Sequence, residues 1–478
     1  MTKGRMRRLL VVSPYGIGIR DLLLNEDLGR YLTKTFLLDL VTPIHIAEPH
    51  TWGISSVFSL TPGGFIARAR NTISHRIINA IVLARTRRFY KAAGWSHLLM
   101  LHLSTNKLGR ATIGKFDPWE FLNRLLPRTI ANWWTVFAAA LYPNARLLHK
   151  TTYDAVIVSH PVDGDCTLFA LAAARRGIPV VCLSMGIDNL RSLGPMLSAP
   201  DLLLLWSQVQ AASMHAHQAV TPALRKTRLA VIGGLPHDRI VNRISSGAFL
   251  KHYPYIGKNT AVVMFAGYSE RWYPRQVETC QVIVDMLKGC GRRFHLIVRP
   301  RPIGSDLSRW RQFAAVNADF VTIQHPEGML FTKSGSPSAL STDQEKEELA
   351  LFVETLTRST VVIVGGLSTV FFDSIAAGTP SICFGISVPD GSMLNVVERS
   401  QAQQADIESM GRIELVQDYE RLREQVLDIV VGDNKNVRWR SQLAIYRLQA
   451  EQLDGKAGER AAAAIEELLS SSGRGGGE

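Results

Sequence analysis

The sequence has little cysteine and no long apolar run. Its 478 residues include five cysteines (Cys166, Cys182, Cys280, Cys290 and Cys383), with no C-x-x-C pair and no metal-ligand spacing to histidine. Such a set is typical of reduced thiols in a cytosolic protein and does not indicate a zinc site. No apolar stretch reaches the roughly 18–20 residues that span a bilayer. Residues 1–8 are basic, but no cleavage site follows them, so we expect no secretory signal.

Positive charge is concentrated in one part of an otherwise balanced chain. Lys and Arg total 54 against 41 Asp and Glu, a formal net charge of +13. Residues 64–128 carry most of the excess, because only Asp117 and Glu120 oppose the basic side chains there. Those basic residues are Arg68, Arg70, Arg76, Arg85, Arg87, Arg88, Lys91, Lys107, Arg110, Lys115, Arg124 and Arg128. A regional excess indicates an anionic partner.

Apolar and aromatic residues accompany this charge. Ile66, Ile73, Ile77 and Ile81 recur at helical spacing, and the uncharged segment 130–142 (IANWWTVFAAALY) contains two tryptophans. This pattern favours peripheral binding to an anionic membrane surface, the inner face of the plasma membrane. The alternative is a helical insertion that packs on the first domain with its arginines solvated. Nucleic acid is not expected as a partner, because no reading-helix motif accompanies the charge.

Short apolar strands alternate with helices in two series. The first series has strands at 8–14, 37–42, 154–159, 178–183, 202–206 and 229–232, and the second at 261–266, 294–298, 320–323, 361–364 and 381–384. This alternation predicts an α/β protein with two doubly wound parallel-sheet, Rossmann-like domains that face a cleft.

The same pattern sets the domain limits. We expect an acceptor-side domain over 1–257, with the basic helical insertion at about 55–150, and a nucleotide-donor domain over 258–435. A C-terminal helix over 436–469 is predicted to cross back between the domains. The Ser/Gly-rich tail 470–478 is predicted to be disordered.

The second domain carries the clearest ligand motif. Gly365-Gly366-Leu367-Ser368-Thr369 follows the strand at 361–364 and opens a helix that contains Asp373. Glycines let the backbone approach a ligand closely, and a helix N-terminus favours a phosphate. Asp373, about one turn along, could accept ribose hydroxyls. The alternative is that Ser368 or Thr369 only caps the helix.

Two further strands end in phosphate-compatible loops. Arg299 and Arg301 follow one strand, where a structural salt bridge is the alternative, and Gly267-Tyr268-Ser269 with Arg271 follows another. Ligands of open α/β sheets bind at the carboxyl ends of the strands, so the three loops together predict a nucleotide diphosphate. The predicted donor-binding residues are Gly267, Ser269, Arg271, Arg299, Arg301, Gly366, Ser368, Thr369 and Asp373.

The spacing of Gly365-Gly366-x-Ser368-Thr369, Asp373 and Gly378-x-Pro380 resembles the donor-binding region of GT-B-fold glycosyltransferases. The resemblance implies that Asp373 holds the nucleotide ribose, although many of those enzymes have Glu there. It also implies that Ser368, Thr369 and backbone amides hold the diphosphate. No metal and no cofactor are implied beyond a nucleotide-sugar co-substrate.

A narrower resemblance lies in the first half. Asp188-Asn189-Leu190-Arg191-Ser192-Leu193-Gly194 and Gly233-Gly234-Leu235-Pro236-His237-Asp238 are similar to motifs of bacterial surface-polysaccharide proteins related to CDP-glycerol glycerophosphotransferases. Two positions depart from that pattern, since Ile187 stands for a tryptophan and Arg301 for a histidine. The resemblance spans about residues 150–400 and implies transfer to a bacterial surface glycan.

Catalytic candidates lie at strand ends of the first domain. Inverting transfer needs a general base near the acceptor hydroxyl, and Asp188 is the first candidate and His160 the second. Asp188 could instead form an Asx turn, and His160 could be a structural turn residue. Gly16, Gly18 and Arg20 follow the first strand and are candidates to bind the acceptor, with a simple tight turn as the alternative.

Taken together, these features predict a metal-independent glycosyltransferase. It would move a sugar from a nucleotide-sugar donor to a lipid-linked bacterial surface glycan, with the enzyme peripheral at the cytoplasmic membrane face. The alternatives, in order, are polyol-phosphate transfer from a CDP donor, nucleotide-sugar epimerisation, and a non-catalytic glycan- or membrane-binding scaffold. The sequence leaves the sugar, the nucleotide, the stereochemical outcome and the oligomeric state open.

Overall fold

The chain forms two compact units. A computed structural model describes residues 6–60, 64–93, 128–184, 186, 190, 194–242, 246–270, 273–301, 305–325, 341–386 and 413–472. The first unit comprises Met1–Pro236, Thr332–Thr342 and Gln449–Glu478. The second unit comprises His237–Phe331 and Asp343–Leu448.

Each unit is built on a parallel sheet. Among the described residues, the first sheet has the order β3-β2-β1-β4-β5-β6-β7 and the second the order β10-β9-β8-β11-β12-β13. The strands are β1 (Arg7–Val12), β2 (Phe36–Thr42), β3 (Ile54–Ser59), β4 (Ala155–Val158), β5 (Val180–Leu183), β6 (Leu202–Leu205), β7 (Arg228–Val231), β8 (Ala261–Ala266), β9 (Phe294–Arg299), β10 (Val321–Ile323), β11 (Val361–Gly365), β12 (Ser381–Phe384) and β13 (Leu415–Val416).

Helices connect the strands. They are α1 (Gly16–Leu23), α2 (Glu26–Thr35), α3 (Phe65–Ala93), α4 (Arg128–Leu141), α5 (Leu147–Lys150), α6 (Gly164–Ala174), α7 (Gln208–Val220), α8 (Leu235–Val241), α9 (Ala248–His252), α10 (Gln276–Lys288), α11 (Leu307–Val316), α12 (Thr342–Arg358), α13 (Thr369–Ala376), α14 (Tyr419–Val430), α15 (Lys435–Ala450) and α16 (Ala457–Ser472). Short 3₁₀ turns occupy Pro49–Trp52, Pro143–Arg146 and Pro222–Lys226.

The central strands are buried on both faces. Every residue of β4, β5 and β6 in the first unit is buried, as is every residue of β8, β9 and β11 in the second. Parallel sheets covered by helices on both faces require such continuous apolar runs. The predicted fold class of two parallel-sheet, Rossmann-like domains is confirmed.

The second unit begins earlier in the chain than the sequence predicts. Phe249, Tyr253 and Ile256, on and after α9, pack in one cluster with Val262 of β8 and Ile297 of β9. The predicted limit between residues 257 and 258 therefore lies inside the second compact unit, because the apolar side chains just before it pack against the second sheet.

Three local features differ from the expectation. Residues 54–59 form edge strand β3, where a helical insertion was predicted from about residue 55. The C-terminal helix is divided into α15 and α16, since Glu451 and Gly455 between them have φ values of 48° and 73°. Residues 470–472 continue α16, whereas 473–478 of the predicted disordered tail lie outside the described residues.

No helix in the described part of the chain is long and apolar enough to cross a membrane.

A histidine on α7 is buried in the first unit with both ring nitrogens hydrogen-bonded. His217 is fully buried, and its Nδ1 accepts the Met196 N–H at 3.1 Å while its Nε2 donates to the Leu190 carbonyl at 2.7 Å. In the neutral form of the ring, both nitrogens therefore have a hydrogen-bond partner. Burial lowers the pKa of His217 from 6.5 to about 4.

We predict that stability falls as the pH falls from 6.5 towards 4. The unfolded chain takes up a proton on His217 in this window while the folded chain does not, so protonation favours unfolding. Between pH 7 and 5 the loss from this group is about 2 kcal/mol, at about 1.4 kcal/mol per pH unit. Urea unfolding at several pH values measures it.

His217→Gln should flatten this pH dependence, whereas His215→Gln, at an exposed position of the same helix, should leave it unchanged. Burial also lowers the pKa of His295 in the second unit, to about 4, so the comparison is made between variants. An identical pH dependence in His217→Gln and wild type would contradict the prediction.

Candidate functional site

Three loops meet at one edge of the second sheet. Strands β9, β8 and β11 are neighbours, and the loops that follow them contain the predicted donor-binding residues. A Cβ on Gly267 would lie 3.2 Å from the Arg301 nitrogen, and a Cβ on Gly365 would lie 3.4 Å from the Tyr268 nitrogen. The structure therefore brings these loops into contact.

The side chain of Gln276 holds the loop after β8. It is 1% exposed, and its Oε1 accepts the Tyr268 N–H at 2.6 Å. Its Nε2 donates to the carbonyls of Tyr268 and Tyr273 at 3.1 and 2.8 Å. Ser269 is partly exposed in this loop, and Arg271 lies outside the described residues.

The two predicted arginines have different environments. The Arg299 side chain is 8% exposed, with Nη1 2.7 Å from Oε1 of Glu348 and the guanidinium 4.6 Å from the centre of the Phe352 ring. The salt bridge considered as an alternative for Arg299 is therefore present. Arg301 is exposed at the same edge, and its carbonyl accepts the Ser305 hydroxyl at 2.8 Å.

The loop after β11 leads into α13 through a glycine turn and an N-cap serine. Gly366 has a φ of 83°, a conformation that favours glycine, and its N–H donates to the Phe384 carbonyl at 2.7 Å. Ser368 occupies the N-cap position, but its side chain makes no capping hydrogen bond. Its hydroxyl and the exposed Thr369 accordingly stand beside helix N–H groups that lack intrahelical partners.

Asp373 is held by two residues that the sequence pattern does not assign to the donor site. Its Oδ1 lies 3.0 Å from Nε2 of His237, and Nδ1 of His237 contacts the hydroxyl of Tyr446. The signal available in the sequence was the Gly233–Asp238 motif a few residues after strand β7, since it puts a histidine near a strand's carboxyl end.

In the first unit, His160 follows β4 and is nearly buried beside Tyr15. The two ring centres are 5.8 Å apart, and the Tyr15 hydroxyl donates to Oδ2 of Asp163 at 3.2 Å. The structure thus places His160 at the same sheet edge as the start of α1, because β1 and β4 are neighbours. Asp188, the first candidate for the base, lies outside the described residues.

The predicted acceptor-binding residues all lie on α1. Gly16 opens the helix and Gly18 packs against Ser13 and Ser159. Arg20 is 7% exposed and its Nε lies 3.3 Å from Oδ1 of the neighbouring Asp21, a buried ion pair.

The carboxylates of Asp163-Gly164-Asp165 are engaged inside the first unit. Asp163 caps α6, and Oδ1 of Asp165 accepts from Nε2 of His75 at 2.9 Å and from the Tyr142 hydroxyl at 2.6 Å. Burial, with Asp165 beside it, raises the pKa of Tyr142. Within the described ranges, no group of three or more His, Cys, Asp or Glu side chains could hold a metal ion.

Solved structures share this fold. A Listeria monocytogenes protein assigned as a UDP-N-acetylglucosamine 2-epimerase has a TM-score of 0.54 at 11% identity, with 98% of each chain covered. The UDP-GlcNAc 2-epimerase of Methanocaldococcus jannaschii has a TM-score of 0.50 at 11% identity, covering 98% of this chain and 100% of its own.

The trehalose 6-phosphate synthase of Burkholderia multivorans has a TM-score of 0.47 at 15% identity, with 99% of this chain and 100% of the other covered. No protein-family model and no curated protein sequence matches the chain. The structural likeness establishes the fold, two Rossmann-like domains of GT-B type. The narrower resemblance to CDP-glycerol glycerophosphotransferase-like proteins stays a prediction.

We predict that Gly18→Ala destabilises the first unit. A Cβ at this position would lie 2.6 Å from Oγ of Ser13 and 2.8 Å from Cβ of Ser159, so the neighbouring strand ends must shift. Overpacking of this kind typically costs about 1–3 kcal/mol, measurable by urea unfolding.

Gly289→Ala is the matched control, since its Cβ would meet only the Met286 carbonyl at an ordinary 3.6 Å. Equal stability of Gly18→Ala and wild type would show that packing does not require this glycine.

Proposed function

We propose that the second unit binds the nucleotide diphosphate of a nucleotide-sugar donor. The observation that carries the proposal is the meeting of three loops at the carboxyl ends of β9, β8 and β11, next to a fixed carboxylate. In open α/β sheets ligands bind at this edge. Two fold neighbours are named as UDP-N-acetylglucosamine 2-epimerases, and UDP-N-acetylglucosamine contains such a diphosphate.

Each group at this edge has a role in the proposal. Ser368 and Thr369 hold the diphosphate through their hydroxyls and the backbone amides that open α13, since helix N-termini favour negative charge, and Gly366 lets the backbone approach it closely. Arg301 adds a cation on the solvent side, and the loop of Gly267 and Ser269 lies between it and the loop after β11, since β8 is the strand between β9 and β11. Arg299 supplies positive charge only in part, because Glu348 neutralises it. Asp373 accepts the ribose hydroxyls.

The proposed reaction is metal-independent transfer of the sugar to a surface-glycan acceptor. The diphosphate leaves as an anion, which the helix N-terminus and Arg301 stabilise. The first unit supplies the acceptor side through α1 and the His160 region, with His160 or Asp188 as the general base. His160 is the one of these two candidates that lies within the described residues.

We expect one nucleoside diphosphate to bind and Arg301→Ala to weaken it. Titration calorimetry with UDP, GDP, dTDP, CDP and CMP identifies the base. Hydrogen bonds to charged groups contribute about 1.5–3 kcal/mol, so the loss of Arg301 should lower affinity roughly ten- to a hundredfold. Arg311→Ala, an exposed arginine on α11, is the matched control and should bind like wild type.

The products formed from the matching nucleotide sugar then separate the reactions. Free nucleoside diphosphate with a glycosylated acceptor indicates transfer, and an altered nucleotide sugar indicates epimerisation. Release of CMP from CDP-glycerol indicates polyol-phosphate transfer. If no nucleotide binds at millimolar concentration, the donor site is refuted and the scaffold alternative replaces it.

We also propose that α3 and α4 bind the membrane surface that carries a lipid-linked acceptor. These helices pack against each other, and α4 exposes an aromatic face of Trp133, Trp134, Val136 and Phe137. Trp133 is 59% exposed and stacks on Phe137 with ring centres 5.5 Å apart. Tryptophan is favoured at membrane interfaces.

Basic side chains of α3 add electrostatic attraction to anionic lipid. Arg68, Arg76 and Arg88 are exposed, whereas Arg85 is 7% exposed. Each basic group near an anionic surface contributes about 1 kcal/mol. Residues 94–127, which hold the rest of the predicted basic segment, lie outside the described residues.

We predict that the protein binds vesicles of phosphatidylcholine and phosphatidylglycerol. The double variant Trp133→Ala, Phe137→Ala should lose this binding. Burying one large apolar side chain contributes about 1.5–3 kcal/mol, so the affinity should fall at least about tenfold in a sedimentation assay. Raised salt should weaken wild-type binding.

The control is the double variant Leu250→Ala, Val316→Ala, which removes side chains that are 50% and 77% exposed in the second unit. Equal loss in both double variants, or no wild-type binding to these vesicles, would refute the membrane surface.

A further inference from the structure

The proposed ribose-binding carboxylate contacts a histidine whose two ring nitrogens are both hydrogen-bonded. The His237 side chain, on α8, is 3% exposed, and its Nε2 lies 3.0 Å from Oδ1 of Asp373. Its Nδ1 contacts the hydroxyl of Tyr446 on α15, and the two rings are 5.2 Å apart. Residues from three helices, α8, α13 and α15, therefore form one hydrogen-bonded chain.

The chemistry of the three groups determines where the protons lie. A carboxylate only accepts, so Nε2 of His237 carries the hydrogen that Asp373 receives. Nδ1 then has a lone pair and accepts from the O–H of Tyr446, which is fully buried. Asp373 thus selects the tautomer that can donate to it, since the other tautomer would set two acceptors against each other, and the Tyr446 hydroxyl holds the ring by donating to Nδ1.

Asp373 itself differs from its partners in exposure. Its side chain is 14% exposed, whereas His237 and Tyr446 are buried. Among the described residues, the Asp373 side chain pairs with His237, through Oδ1. One carboxylate oxygen is therefore anchored within the protein, and the other is left to accept a ligand hydroxyl.

We infer that His237 is a positioning residue that, held by Tyr446, orients Asp373 for the ribose hydroxyls of the nucleotide; this rests on the proposed donor site. A short Asp side chain with two free torsions binds a diol well only when its orientation is fixed before the ligand arrives. The chain Tyr446–His237–Asp373 supplies that fixed orientation through hydrogen bonds that need no ligand.

The test compares nucleotides with and without ribose hydroxyls. UDP against 2′,3′-dideoxy-UDP, and GDP against 2′,3′-dideoxy-GDP, are titrated into wild type, Asp373→Asn, His237→Phe, His237→Gln and Tyr446→Phe. Wild type should lose roughly ten- to a hundredfold in affinity when the hydroxyls are removed. His237→Phe should lower the affinity for the hydroxylated nucleotide to that of the dideoxy form, with little effect on the dideoxy form.

The conservative variants keep the test informative if His237→Phe fails to fold. His237→Gln retains an N–H that can reach Asp373 and should recover part of the preference for the hydroxylated nucleotide. Tyr446→Phe preserves the aromatic ring but removes the hydrogen bond that holds His237 at Nδ1, and it should reduce the preference severalfold.

The possible failures are distinguishable. If wild type binds no diphosphate, the proposed function and this inference fall together. If wild type binds UDP or GDP and their dideoxy forms equally, the donor site stands and the ribose role of Asp373 is refuted. If the variants of His237 weaken both forms of the nucleotide equally, the histidine is only structural and the positioning role is refuted.

Discussion

Parallel pairing sends each strand's carboxyl end to the same edge of its sheet, so that the loops which follow neighbouring strands must meet there. In the second unit this constraint joins stretches of chain that start at residues 267, 300 and 366, although α10 separates the first two and α11, β10 and α12 separate the last two. The edge has a chemical character of its own. It combines glycines that admit close approach, a helix N-terminus and an exposed arginine, and these features favour one kind of ligand, an anion with a compact polar head.

Loops at such an edge lack the ladder hydrogen bonds of the strands, and buried side chains replace them. Gln276 makes three hydrogen bonds to the backbone of the loop after β8. Glu348 pairs with Arg299, and His237 with Asp373. A buried polar group without a partner costs about 1–3 kcal/mol, so the hydrogen bonds of Gln276 favour the observed conformation of the described part of the loop after β8. Arg299 at the end of β9 and Asp373 on α13 are each held by a side chain of another helix.

The sequence predicted what depends on local pattern. Buried strands such as β4 and β11 are continuous apolar runs, and the residues that follow them could be placed from strand direction alone. Edge strand β3 was missed because its sequence, ISSVFS, lacks such a run, and two-residue β13 is too short to give one. Contacts between residues distant in sequence could not be predicted. Tyr446 and His237 are 209 residues apart. The sequence around Arg299 likewise does not indicate that its partner is Glu348 on α12.

The return of the chain to the first unit has a consequence for synthesis. Helix α16 packs on α2, where Tyr31 donates to Glu466 across 435 residues and Gly458 leaves no room for a Cβ beside Asn25. At about 5–20 residues per second, a ribosome needs on the order of tens of seconds to make that intervening chain. During this time the face of α2 that receives α16 stays uncovered. The newly made first unit is then exposed to association with other chains, and its completion has to wait for α16 to emerge.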